Sequence, residues 1–124
     1  MGAHRNDKIT EPVVVREREE GSVTVVQLNG RLTVGEGSDT LNTRLEQLLN
    51  AGRIRLVLDC SKATAIDSQG ISALVRGLIS ARKRGGNLKL LKPVKRVREV
   101  LTITRLLEVI ESFDDEQAAI HSFS

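Results

Sequence analysis

Ala65-Ile66-Asp67-Ser68-Gln69-Gly70-Ile71 is the stretch of this chain best equipped for chemistry. It joins the end of an apolar, strand-like run to the start of a strongly amphipathic helical run. Ser68 falls at the predicted helix N-terminus, where a hydroxyl can accept from the unpaired N–H groups of the first turn. Those N–H groups and the helix dipole also favour added negative charge, so the position suits a phosphate. Ser68 is therefore either a plain N-cap or a modifiable serine. A nucleophilic serine fits poorly. The hydrolase elbow needs glycine two residues before the serine, and Ala65-Ile66-Asp67 precedes Ser68 instead. The histidines, His4 and His121, stand near the two ends of the chain and supply no evident triad base. No enzymatic activity is expected.

Strands alternating with helices must position this junction. Val13-Val14-Val15 and Val23 to Leu28 read as two strands, with a hairpin turn at Glu19-Glu20-Gly21-Ser22. Asn29-Gly30 is the expected end of the second. Gly35-Glu36-Gly37 leads into a helix capped by Ser38 or Asp39, with Leu41, Leu45, Leu48 and Leu49 on one face and Asn50-Ala51-Gly52 as its stop. Ile54 to Leu58 is a nearly continuous apolar run, as in a strand covered on both faces. A connection over 61–67 follows it. The next helix carries Ile71, Leu74, Val75, Leu78 and Ile79 as a buried stripe, Arg82-Lys83-Arg84 in its last turn and Gly85-Gly86 as its C-cap. Leu88 to Leu91 is a further strand. Pro93 sets the first turn of a helix with Val94, Val97 and Leu101 one turn apart. A last strand over Leu107-Glu108-Val109-Ile110 precedes a short helix from Asp114 to His121. The pattern predicts an α/β domain with a mixed central sheet of about five strands and about four helices. Residues 1–11 are expected to form a flexible tail, and 12–122 the domain.

Composition narrows the function. The chain has 124 residues, enough for one domain, and is 40% hydrophobic, yet it lacks Trp and Tyr and has only Phe113 and Phe123. The core must be aliphatic, and few platforms remain for stacking bases or sugars. Cys60 is the single cysteine and is expected as a small core residue, in keeping with a reducing compartment. One Cys and two His, far apart, give no metal-ligand spacing, and Gly30, Gly35 and Gly37 make no dinucleotide fingerprint. No metal or cofactor is expected. No apolar run is long enough to span a bilayer and no signal-peptide core is evident, so a cytoplasmic location is expected. Asn6 stands where myristoylation would want Ser or Thr.

The net charge is +3, but the stretch from Arg76 to Arg105 holds ten basic residues and one acid, Glu99. The closing segment is acidic: Glu108, Glu111, Asp114, Asp115 and Glu116. A basic half could meet an acidic protein surface or a phosphate backbone. It is equally the pattern of a solvated face with cations at helix C-termini.

Asp67-Ser68-Gln69-Gly70-Ile71 matches Asp-Ser-any-Gly-Leu/Ile, and the match falls at a strand–helix junction. Gly30-Arg31-Leu32 after the second strand, Gly85-Gly86 after the long helix, and Val94 to Leu101 agree with the same pattern. In these features the chain resembles the STAS domains from about Val13 to Ile120, in particular the bacterial anti-sigma-factor antagonists. The resemblance implies that Ser68 is phosphorylated by a partner that is both anti-sigma factor and serine kinase. The unmodified protein would bind that kinase, phosphorylation would release it, and a serine phosphatase would reset it. Asp67, Ser68, Gln69, Gly70, Ile71 and, two turns on, Arg76 are the expected partner-binding residues. Many members carry Asp after Gly-any-Leu/Ile, where this chain has Thr33. A scaffold subunit of a stress-sensing complex or a transporter is the nearest alternative role. Nucleic-acid binding through Arg76–Arg105 is an alternative of another class, without a recognised motif to support it. No membrane partner is expected, and the protein is expected to be a monomer or weak dimer.

Overall fold

The computed structural model describes residues 14–124. The expected tail and Val13 lie outside the described residues. β1 (Val14–Glu20) and β2 (Val23–Leu32) form an antiparallel hairpin. Its turn is Gly21-Ser22, two residues rather than four, because Glu20 still pairs with Val23. The end of β1 was hidden by its Arg-Glu-Arg-Glu-Glu composition, which lacks apolar alternation.

β2 also runs past Asn29-Gly30, the expected stop. α1 (Glu36–Asn50) then crosses to β3 (Arg55–Ile66), which lies parallel to β2. The 61–67 connection is therefore mostly strand: Asn29 to Leu32 pair with Lys62 to Ile66, with register shifts at Gln27/Asn29 and Gly30/Arg31. Gly30 takes φ +80°, the conformation that a bulge asks of glycine, so this Asn-Gly bends the ladder and does not end it.

α2 (Ser68–Lys83) leads to β4 (Asn87–Leu91), parallel to β3. α2 closes on the expected glycines: Gly86 N–H donates to Ala81 O at 2.8 Å and Gly85 N–H to Arg82 O at 3.0 Å. α3 (Lys95–Ile103) has Val94 as its N-cap, so Pro93 precedes the helix and does not open its first turn. The expected strand at 107–110 is instead a 3-10 turn, Leu106–Glu108, followed by a two-residue β5, Ser112–Phe113, parallel to β4. α4 (Glu116–His121) is capped by Asp115, whose carboxylate accepts from Ala118 N–H at 2.9 Å. The sheet order is β1-β2-β3-β4-β5.

α1, α2 and α3 contribute to the large aliphatic core on one face of the sheet, where Leu28, Leu45, Leu58, Leu74, Leu90 and Leu101 are fully enclosed. Each such leucine is worth about 1.5–3 kcal/mol relative to exposure. Cys60 lies in this core, where burial, with the nearby Asp59 charge, pushes its thiol up to about 12. It is a small core residue, as expected, and stays protonated. The buried line of α2 runs through Gly70, Ala73, Leu74, Gly77, Leu78 and Ala81. The predicted stripe is rotated from this, so Ile71 and Val75 are half-buried and Ile79 is exposed. Small residues decide the rotation: a Cβ on Gly77 would stand 2.8 Å from Leu45 Cδ1, which lets α1 and α2 close together.

α4 packs on the opposite face with Val25, Val57 and Leu91. Here Lys89, in the middle of β4, is buried. Its Nζ donates to Ser122 Oγ at 2.8 Å and Ser122 O at 3.2 Å, pairs with Glu111 at 2.9 Å, and lies over the Phe123 ring at 4.4 Å. The charges of β1 serve both faces. Glu17 and Glu19 pair with Arg44 and Arg53 beside α1, and Arg18 with Glu116 of α4.

Candidate functional site

β3 ends at Ile66, and Asp67 turns the chain into α2. Asp67, not Ser68, is the N-cap: its Oδ1 accepts from Gln69 N–H at 2.9 Å and from Gly70 N–H at 3.1 Å. A carboxylate reaches two first-turn donors from outside the helix, which leaves Ser68 to become the first helical residue. The Ser68 side chain is exposed and plays no part in the cap.

The other carboxylate oxygen, Oδ2, accepts from Val34 N–H at 2.8 Å, across to the loop between β2 and α1. Asp67 N–H in turn donates to Leu32 O at 3.3 Å. The Val34 N–H foremost, then those of Gly70 and Gln69, hold the Asp67 carboxyl below the usual aspartate range, against some opposition from desolvation. One ionised side chain thus fastens two loops at the same end of the sheet.

Gly70 is buried beneath the site. A Cβ there would stand 2.1 Å from Leu32 O and 2.8 Å from Ile66 Cγ1. Its contribution is space, since α2 can begin against the end of β2 only where a side chain is absent. Ile71 is half-buried against the core. Asp67, Ser68 and Gln69 therefore present the accessible atoms of the motif.

Arg76 is exposed but lies two turns on, roughly 12 Å along the axis. It borders a groove of about 310 Å³ between α1 and α2, with Asn42, Glu46, Ser80 and Arg84 among its walls. Thr33 is half-buried, and its carbonyl accepts from Ser38 N–H at 3.1 Å. Ser38 does not cap α1. The cap position is Gly35, with no side-chain hydrogen bond, and the Ser38 side chain is buried. Sequence reasoning named the Gly30-Arg31-Leu32 stretch but missed that Leu32 and Val34 are hydrogen-bonded to Asp67, the neighbour of Ser68. The signal available was the alignment of β2 beside β3, which places both C-terminal ends together.

The basic stretch is not one surface. Lys89 is buried on the α4 side, Arg82 is bonded to Val109 O, Arg84 to Asn50, Arg98 to Asp114 and Arg105 to Glu108. Arg82 and Lys83 stand in the last turn of α2, where cations suit the dipole. No helix of the described residues is long and apolar enough to cross a membrane.

The STAS domain family model matches residues 15–119. This chain belongs to the STAS domain family. A Thermotoga neapolitana relative, named as a candidate anti-sigma factor antagonist, is 32% identical over 75 residues. That match spans 60% of this chain and 66% of the relative, just under two thirds of its length. The crystal structure of a candidate anti-sigma factor antagonist from Thermotoga maritima shares the fold with a TM-score of 0.81 at 24% identity, over 87% of this STAS domain protein and 92% of that chain. The Bacillus cell-fate determinant SpoIIAA, in its phosphorylated form, gives 0.67 at 16% identity, over 88% and 98% of the two chains. SpoIIAA in its unphosphorylated form gives 0.65 at 15% identity, over 86% and 94%. These structural likenesses concern the fold. They fit the α/β architecture of a single STAS domain, with a five-stranded mixed sheet and four helices among the described residues.

Proposed function

We propose that this protein is an anti-sigma factor antagonist that binds an anti-sigma serine kinase while Ser68 is unmodified and lets go when Ser68 is phosphorylated. The observation that carries the reading is the exposed Ser68 at the first position of α2, freed from capping by Asp67. The antagonist name of the Thermotoga neapolitana relative supports the same reading. Ser68 is the acceptor. Gln69 and the rim of Asp67 offer polar contacts, Gly70 and Ile71 set the height of the helix, and Arg76 meets partner carboxylates further along α2. A serine phosphatase restores the binding form.

Phosphate brings about −1.5 to −2 charges at neutral pH. The dipole of an exposed helix N-terminus favours that charge by roughly 0.3–1 kcal/mol, and the neighbouring Asp67 carboxylate opposes it only weakly through water, so the domain stays folded. The cost falls on the kinase, which would have to strip water from the phosphate to keep its contact. The switch is a change of surface.

The test is phosphate mapping by mass spectrometry on protein from its own cells, with pull-downs of wild type and Ser68→Ala. Phosphate on Ser68, and a serine kinase retained more strongly by the alanine variant, is the expected result. An unmodified Ser68 under all growth and stress conditions, with no kinase retained, would overturn the reading.

A further inference from the structure

We infer that Val34 is an apolar anchor of the kinase-facing surface and that Asp67 is the residue that positions it, an inference resting on the kinase-binding reading above. Val34 is 72% exposed. Of the other exposed large apolar residues described, Ile79 lies on α2, Ile103 ends α3, and Val109 follows the 3-10 turn. Val34 alone among them sits at the Ser68 site, tied through its N–H to the carboxylate next to Ser68. A kinase that reaches the Ser68 hydroxyl therefore comes over Val34 as well.

The backbone around Val34 is held on three consecutive residues. Thr33 O accepts from Ser38 N–H at 3.1 Å, Val34 N–H donates to Asp67 Oδ2 at 2.8 Å, and Gly35 O accepts from Asp39 N–H at 3.1 Å. The middle bond has an ionised acceptor and is the strongest of the three. A valine on a slack loop would fold back onto the domain, but this one is fixed with its side chain in water. Preorganisation of that sort lowers the entropy lost on binding. Apolar anchors of this kind carry the energy of an interface, while nearby charge decides whether it forms. The occupant is an apolar recess of the kinase beside its serine-binding cleft. A phosphate on Ser68 would keep water in that recess and lift the partner off Val34.

The two roles separate by substitution. In Asp67→Asn one oxygen still accepts from Gln69 and Gly70, and Asn is a good N-cap. The amide nitrogen takes the place of Oδ2 and sets a donor against the Val34 N–H. Binding of the kinase captured by Ser68→Ala would be measured for wild type, Val34→Ala, Asp67→Asn and the double variant, with amide exchange on each free protein. Each single variant should weaken binding roughly tenfold, and the double variant little further, because both act through the same contact. Val34 amide exchange should speed up in Asp67→Asn while those of Gln69 and Gly70 stay slow. A kinase that binds wild type and Val34→Ala alike would overturn the inference and leave the proposed function standing. Failure of the kinase to bind wild type free of phosphate on Ser68 would sink both. If Val34→Ala altered only the sedimentation of the protein alone, its occupant would be a second copy, and the inference would be wrong.

Discussion

α1 and α2 pack side by side and begin at the same end of the sheet, yet their N-termini are built differently. α1 starts from Gly35 at φ +98° without a side-chain cap, and α2 starts from Asp67, whose carboxylate serves two of its own N–H groups. The same carboxylate holds Val34, one residue before Gly35. The uncapped helix is thus steadied by its neighbour's cap. The difference teaches that the Ser68 site is one unit made of two helix starts, and that stability and presentation of the serine are assigned to different residues.

Gly70→Ala should break the pair most severely. The new Cβ would face the Leu32 carbonyl at 2.1 Å, and backbone must move. A loss of about 1–3 kcal/mol or more, read by urea unfolding, is expected. A cost within noise would mean that α2 does not rest on β2 as described. Gly35→Ala comes next. Open space surrounds that position, so only its positive-φ backbone, in a region that favours glycine, resists, at about 1–3 kcal/mol. If it destabilised as much as Gly70→Ala, the lead-in to α1 would be under more constraint than its lack of packing implies.

Asp67→Ala should cost less than Gly70→Ala and should alter the pH response. Because the folded state depresses this pKa, its stabilisation is complete above the ordinary aspartate pKa and disappears as pH falls through the lower folded value. Unfolding curves between neutral and acid pH should converge for wild type and Asp67→Ala at the acid end. A gap independent of pH would mean that the carboxylate charge is not what fastens the loops. Ser68→Ala should have the smallest effect, within about 0.5 kcal/mol. A loss nearer 1 kcal/mol would return a share of the capping to the serine.

How much of this could be read from the chain depended on what each residue answers to. The leucine periodicity of α1 and the Gly85-Gly86 cap reflect local geometry, and the structure follows them closely. The motif itself placed the strand–helix junction correctly. Asp67 and Ser68 are both competent caps, and the choice between them rests on Val34, a residue 33 positions away that adds a third donor to the carboxylate. The extensions of β2 and β3 answer to each other's pairing and were faint in Ser61-Lys62-Ala63-Thr64-Ala65, whose alternation is carried by alanine, a weak strand former. Ile79 fell outside the core because packing against α1 favoured Gly77 and Ala81 at the contact. The basic run left two readings open in the sequence, since a linear tally of charge takes no account of the sheet face that buries Lys89.

The two margins of the sheet carry a last consequence. β1 presents alternating charges already paired to α1 and α4, and β5 is only two residues long. A foreign strand seeking to add itself would meet a row of alternating charges at one margin and a two-residue strand at the other. Concentrated solutions should therefore resist fibril growth, even though the interior strands are as rich in valine and leucine as many that form amyloid when laid bare.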